Sequence, residues 1–485
     1  MVVENKNRNT VIFYSCGICN LNCRYCGINK NKCLPLIDQR LEESFKGDYY
    51  FNRVKEYFPR KDMLRTFETW GGEPFLRMDR IYPLMHQLIE EYPYFDSGYS
   101  STNFSYSTWT DQFFGLMDCF GDYPHRDFSY CLQLSMDGPE YITDAGRGKG
   151  VTKRCLENFK KLTELLGQGR LPKNVKLTIT LKGTLDNATF QELCNREKII
   201  EYYKFYEDNF IRPIRQLNLE NVFIAPGIPN TAVPSPVTVE EGRKFASLVK
   251  MCRELEAENR EHRIFEFYDV ITPFHNNVCQ NWLGYQYGYH TCGTGDVSVG
   301  LLPDNMVSTC HEGFTQIVEE YEKLAAADTN EHSTITFDKF RSEQAISLCC
   351  NDDEYYNHHY KMSLFNKDNA TARLATSTSM IIGLAMAGEI EAKYVSDENA
   401  LKAAIFIQGH TSYCIKDNYN KTGSYTLAPV GIYKLLLNGA MEWIQCADEM
   451  HTDNQVITSW VDDDPNNAFE YNTCNGCSHC GGCGL

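Results

Sequence analysis

The sequence predicts an α/β fold: six β/α units building a parallel sheet, open or curled into a partial barrel, ahead of a cysteine-rich C-terminal half. Three observations predict it. Short apolar runs alternate with amphipathic helical patterns up to residue 225. That alternation implies parallel strands, which need a crossover between neighbours. Beyond residue 265 the composition changes, and many of the 21 cysteines fall in clusters.

Taken in order, Thr10–Ser15 (TVIFYS) is a short apolar run with a β-branched start and reads as a buried strand. Similar runs are Leu64–Trp70, Tyr130–Leu134, Val175–Leu181 and Val222–Ala225. Tyr99–Thr102 is polar, and only the alternation calls for a strand there. Among the helices, Ile81, Leu84, Met85, Leu88 and Ile89 mark one face, with Pro83 tolerable in a first turn. Val151, Cys155, Phe159, Leu162 and Leu166 mark another, stopped by Gly167. Pro226–Pro236 holds four prolines and reads as a linker, leading into a helix from Val239 to about Glu261 with Phe245, Leu248, Val249, Cys252 and Leu255 inward. The expected domains are therefore 1–236, a bridging helix at 237–264, and 265–485 with a helical insertion at about 351–470.

A length of 485 residues allows two or three domains, and 42% hydrophobic with 23% charged residues is ordinary globular composition. The net charge of −17 disfavours nucleic acid or an anionic membrane as the main partner. The start is polar, and no apolar run approaches the roughly 20 residues that span a bilayer. A soluble, cytoplasmic protein is expected, and in that reducing compartment clustered cysteines point to metal rather than disulfides.

The chemistry centres on Cys19, Cys23 and Cys26 in CGICNLNCRYC, directly after the first strand. Three thiolates on a short loop can ligate three irons of a [4Fe–4S] cube and leave the fourth open. Taken alone, the C-x3-C-x2-C spacing would also suit part of a zinc site. Gly71-Gly72-Glu73-Pro74 follows the second strand, Ser101-Thr102-Asn103 ends the third, and Ser135-Met136-Asp137-Gly138-Pro139 with Arg147 follows the fourth. Each motif lies at or past a strand's C-terminal end, where parallel barrels carry their sites.

In this order the motifs resemble those of the radical S-adenosylmethionine superfamily over roughly residues 10 to 225. The resemblance implies a partial (β/α)6 TIM-type barrel and a cluster whose open iron chelates the methionine end of S-adenosylmethionine. Tyr25 would then pack on the adenine, Gly71 and Gly72 would offer a strand edge, and Glu73 would meet the methionine ammonium. Asn103, Ser135, Asp137 and Ile224 would line the cofactor, and Arg147 would reach its carboxylate.

Cys292 to Cys310, with Pro303-Asp304-Asn305-Met306-Val307 between them, resembles the SPASM hairpin of peptide- and protein-modifying relatives. Asn305 stands where the family has glycine and can also adopt positive φ. That resemblance implies one or two auxiliary clusters, for which Cys279, Cys292, Cys310, Cys349 and Cys350 are candidate ligands. Beyond a departure of about 120 residues, Cys474, Cys477, Cys480 and Cys483 complete the set, with zinc the rival metal. His311 and Glu312 stand where relatives carry an acidic base; either could take a proton, or His311 could hydrogen-bond a cluster sulfur. The remaining single cysteines read as buried thiols, and Cys16 and Cys33 as bystanders.

Together the resemblances imply that a 5′-deoxyadenosyl radical oxidatively modifies a peptide, by crosslinking or other C–H functionalisation, in maturation of a ribosomal precursor. Only about ten residues precede the first strand, so a separate leader-recognition protein, or the helical insertion, is expected to recognise the precursor, with a flavodoxin- or ferredoxin-type reductant. The alternatives are sulfatase-maturase-like formylglycine formation and small-molecule dehydrogenation. A non-catalytic electron carrier would have no use for GGEP or Arg147.

Overall fold

A computed structural model describes residues 8–26, 28, 34–225, 230–232, 239–267, 297–303, 306–308, 311, 314, 318, 382 and 385–386. They fall into two compact units.

The first unit holds the sheet. Its elements are β1 (Thr10–Cys16), α1 (Leu34–Phe45), α2 (Tyr49–Tyr57), β2 (Thr66–Gly71), α3 (Tyr82–Glu91), β3 (Ser97–Thr102), α4 (Trp109–Gly121) and β4 (Phe128–Ser135). There follow α5 (Glu140–Arg147), α6 (Val151–Gly167) and β5 (Val175–Lys182). β6 (Thr184–Asp186), α7 (Asn187–Leu193) and α8 (Arg196–Tyr206) belong to the second unit, and α9 (Arg212–Leu217) and β7 (Val222–Ala225) return to the first. β8 (Asn230–Ala232) and α10 (Val239–His262) lie in the second unit, while β9 (Ser298–Leu301) and β10 (Val307–Ser308) lie in the first.

The sheet has eight strands in the order β10-β9-β1-β2-β3-β4-β5-β7. From β1 to β7 the order never reverses, which is the winding of a (β/α) barrel rather than of a doubly wound sheet. β1, β2, β3 and β4 are successively parallel, as are β5 and β7. All six expected strands are present, including β3, where polar Ser97–Thr102 is held between β2 and β4.

The two faces differ. Val11, Phe13, Phe67, Leu132, Leu134, Leu177 and Ile179 are all buried on one face, in an aromatic layer with Phe75, Trp109 and Phe113. Each such side chain contributes about 1.5–3 kcal/mol by leaving water. Leu84, Met85, Leu88 and Ile89 on α3 are buried as their spacing predicts, and Pro83 sits in that helix's first turn. The opposite face is hydrogen-bonded. The Trp70 indole donates to Glu68 (2.8 Å), Tyr99 OH donates to Gln133 (2.6 Å), and the Gln133 amide donates to Ser101 (2.7 Å).

Three expectations differ from what is found. The hairpin that the sequence groups with 265–485 extends the barrel sheet instead. β9 runs parallel to β1, pairing Thr10 with Ser298 and Phe13 with Leu301, and β10 is antiparallel to β9. The wholly buried SVGL strand covers an edge of β1 that would otherwise expose its backbone groups. The stretch read as a linker contains β8, which pairs with β6 in a separate two-stranded sheet. The units also divide at 182, 209 and 226, whereas the sequence reading placed its boundaries after 236 and 264.

In the second unit α10 runs Val239–His262, with Leu248, Cys252 and Leu255 buried as expected. The Phe245 and Val249 side chains lie outside the described residues. Cys16, Cys119, Cys131, Cys155 and Cys252 are buried free thiols, and Cys194 is half-buried. No helix among the described residues is long and apolar enough to cross a membrane.

Candidate active site

β1 delivers the chain to Cys16 and Gly17, and two crossings then fix the cysteine loop. On one side, Gly17 N–H donates to Asp38 on α1 (2.8 Å). Arg80 grips both Asp38 oxygens (2.8 and 3.0 Å) and donates to the Ser15 carbonyl (3.1 Å). Burial raises the Asp38 carboxyl, but the bonds from Arg80 and Gly17 outweigh it and hold its pKa below the usual range.

On the other side the glycine pair meets the loop backbone to backbone. Gly72 N–H donates to the Cys16 carbonyl and Glu73 N–H to the Ile18 carbonyl, both at 2.9 Å. A Cβ on Gly71, whose φ is +133°, would lie 2.2 Å from the Cys16 oxygen, and one on Gly72 would lie 2.2 Å from that of Ile18. The strand edge expected to meet the cofactor therefore holds the cysteine loop at these two amides.

The Glu73 side chain is 1% exposed. It accepts from Phe75 N–H (3.1 Å), Thr102 Oγ1 (2.6 Å) and Asn103 N–H (2.7 Å), tying the GGEP turn to the Thr-Asn turn. Burial raises its pKa to about 7, against the lowering effect of those bonds. Asn103 Nδ2 reaches Cys19 Sγ (3.5 Å) and Asn20 Oδ1 (3.0 Å).

The far end of the loop is clamped to α5. Arg24 N–H donates to the Gly146 carbonyl (2.9 Å), and Tyr25 OH donates to Asp137 Oδ2 (2.5 Å). Arg147 grips the same carboxylate with two bonds (2.9 and 2.8 Å), and its guanidinium lies 5.6 Å from the Tyr25 ring centre. Tyr25, Asp137 and Arg147 thus bind one another. Ser135 ends β4 half-buried, and the Ile224 side chain pairs with Ile179 on the buried face of β7.

Cys19, Cys23 and Cys26 are free thiols close enough for Cys23 and Cys26 both to raise the Cys19 pKa. Burial is the main cause of the rise to about 12 at Cys19 and about 11 at Cys23, where Arg147 pulls down. Bare, Cys19 and Cys23 stay protonated; a bound metal centre would supply the positive charge that removes their protons. Among the described residues no three His, Cys or carboxylate side chains gather at a position for a single metal ion. A zinc site needs its ligand sulfurs about 2.3 Å from one point. A [4Fe–4S] cube would give each thiolate its own iron.

His311 lies flat on Trp70, with ring centres 4.0 Å apart and 13° between planes. Its carbonyl accepts from Tyr14 OH (3.4 Å), and Phe314 stacks on the Tyr14 ring. His311 is thereby placed at the end of β2, beside Gly71. Glu312, Cys279, Cys292, Cys310, Cys349, Cys350, Cys474, Cys477, Cys480 and Cys483 lie outside the described residues.

The supporting residues Asn20, Asp38, Glu68, Trp70, Arg80 and Ser105 were not singled out by sequence. Asn20 carried a signal, because it sits inside the cysteine motif. The others reach the site through tertiary packing.

No family model and no curated protein matches the chain. It is similar to the solved structure of anSMEcpe with AdoMet bound, at 13% identity over 93% of this chain and 98% of that one, with a TM-score of 0.43. It is also similar to Streptococcus suis SuiB bound to S-adenosylmethionine, at 12% identity over 88% and 75%, with a TM-score of 0.37. At this level of likeness, what the site does is decided by its own residues.

Proposed function

We propose that this chain is a radical S-adenosylmethionine enzyme that modifies a peptide. One observation carries the reading: the GGEP turn, the Thr102-Asn103 turn and the Asp137–Arg147 pair, distant in sequence, all close on the Cys19–Cys26 loop. Cys19, Cys23 and Cys26 would hold the cluster, which when bound supplies the electron that breaks a sulfonium C–S bond. The chain's own contribution is rigidity. Glu73 fixes the loop's first half through Asn103, and Asp137 fixes the second through Tyr25.

The polar sheet face would receive the substrate. His311, flat on Trp70, would hold or take a proton there. The peptide substrate follows from the resemblance of the Cys292–Cys310 hairpin to that of peptide-modifying enzymes. anSMEcpe, for its part, has been solved with Cp18Cys and Kp18Cys peptides. The cysteines beyond residue 265 would hold one or two auxiliary clusters.

The test is anaerobic reconstitution and reduction, followed by chromatography for 5′-deoxyadenosine. Wild type should form it and the Cys19/Cys23/Cys26→Ala protein should not; equal product from both would end the proposal. Tandem mass spectrometry and aldehyde derivatisation of candidate peptides then separate a crosslink from formylglycine. The intact mass distinguishes formylglycine made from Cys, which exchanges sulfur for oxygen, but not from Ser, which loses two hydrogens just as a crosslink does. Truncation before Cys474 should lower iron, whereas a zinc tail would lower zinc alone.

A further inference from the structure

We infer that Asn103 sets the reduction potential of the cluster held by Cys19, by donating a hydrogen bond to that residue's sulfur. The inference rests on the proposed reading that the triad carries a [4Fe–4S] cluster. It adds a function to a residue that the motif alone would assign to the cofactor.

The direction of the Asn103 amide is fixed by its neighbours. Its Oδ1 accepts from Ser105 N–H (3.1 Å), and a backbone amide can only donate. Ser105 Oγ donates to the same oxygen (2.8 Å). A flipped amide would set donor against donor, so the usual ambiguity between amide O and N is resolved here. Nδ2 must therefore face Cys19 Sγ (3.5 Å) and Asn20 Oδ1 (3.0 Å). The Asn20 amide closes the ring by donating to Ser105 Oγ (2.9 Å). The Asn103 backbone is anchored in turn, its N–H on buried Glu73 (2.7 Å). Asn103 is 7% exposed, so little water competes for its donor.

Cys19 Sγ also receives Leu21 N–H at 3.4 Å, a backbone contact that side-chain substitution leaves in place. Hydrogen bonds to ligand sulfurs tune iron–sulfur potentials: a donor withdraws charge from the thiolate and favours the reduced, more negative cluster. Asn103 is thus a positioning and tuning residue that acts through Cys19.

The test is an EPR-monitored redox titration of reconstituted protein without S-adenosylmethionine, with iron and sulfide counted in the same samples. It follows the signal that is missing from the Cys19/Cys23/Cys26→Ala protein. Asn103→Leu removes the donor at similar volume and should weaken one-electron reduction roughly tenfold, a shift of about 59 mV to more negative potential. Asn103→Asp should shift further the same way. Ser105→Ala, which keeps Nδ2 but loosens its direction, should shift less. An unchanged potential in Asn103→Leu at full iron content overturns the inference, even if affinity for S-adenosylmethionine falls. Should Asn103→Leu fail to load iron, Ser105→Ala decides, and no shift there overturns it as well. A wild type lacking the triad-dependent signal would instead end the cluster reading.

Discussion

Asp137→Ala should destabilise the protein even when no cluster is present. The carboxylate is 1% exposed and Arg147 is 7% exposed, so water screens neither. Two Arg147 bonds and the Tyr25 hydroxyl converge on this one side chain. Removing it strands a buried guanidinium, which costs about 3–5 kcal/mol when one member of a buried pair is deleted. Against a typical stability of about 5–15 kcal/mol, that is a large share. Tyr25→Phe removes only a hydroxyl and should cost about 0.5–1.5 kcal/mol. In the Tyr25→Phe/Asp137→Ala double variant the losses should fall short of additive, because both include the same hydrogen bond. Asp137→Leu/Arg147→Met, which removes both charges, should recover most of the loss. Anaerobic urea denaturation of cluster-free protein, followed by tryptophan fluorescence, reads all four. Asp137→Ala within about 1 kcal/mol of wild type would refute the claim that this pair holds the loop.

Further outcomes follow from the same geometry. Gly72→Ala should fail to load iron at the triad, since its Cβ would lie 2.2 Å from the Ile18 carbonyl oxygen; iron analysis checks this. Glu73 carries a pH signature. Its pKa is raised from 4.5 to about 7, so its contribution to stability is fully present below about 4.5 and lost as pH rises through 7. The stability of cluster-free wild type relative to Glu73→Gln should therefore fall across that window, by on the order of 3 kcal/mol; a pH-independent difference in urea midpoints would contradict it. Trp70→Leu and His311→Gln should leave 5′-deoxyadenosine formation intact while suppressing modified peptide and altering its pH profile. Parallel loss of both products would remove His311 from substrate chemistry.

The singly wound sheet was legible in the sequence because period and punctuation are local. Apolar runs such as Val175–Leu181 and the α3 face from Leu84 to Ile89 record their own burial. The cysteine triad was legible for a similar reason, since its three thiols lie within eight residues. What the sequence could not decide was which groups the motifs would bind. Glu73 and Arg147 were each assigned to the cofactor by the resemblance of their motifs. In the fold Glu73 is taken up by Thr102, Phe75 and Asn103, and Arg147 by Asp137. A buried charge must be satisfied by whatever lies nearest in space, and chain spacing carries no record of a contact made 30 residues away. The same holds for β9, whose SVGL sequence shows a strand but not that β1, nearly 300 residues earlier, is the edge it covers. Pattern fixes what a segment is; only the tertiary structure, where packing and hydrogen bonding choose among distant partners, decides what it meets.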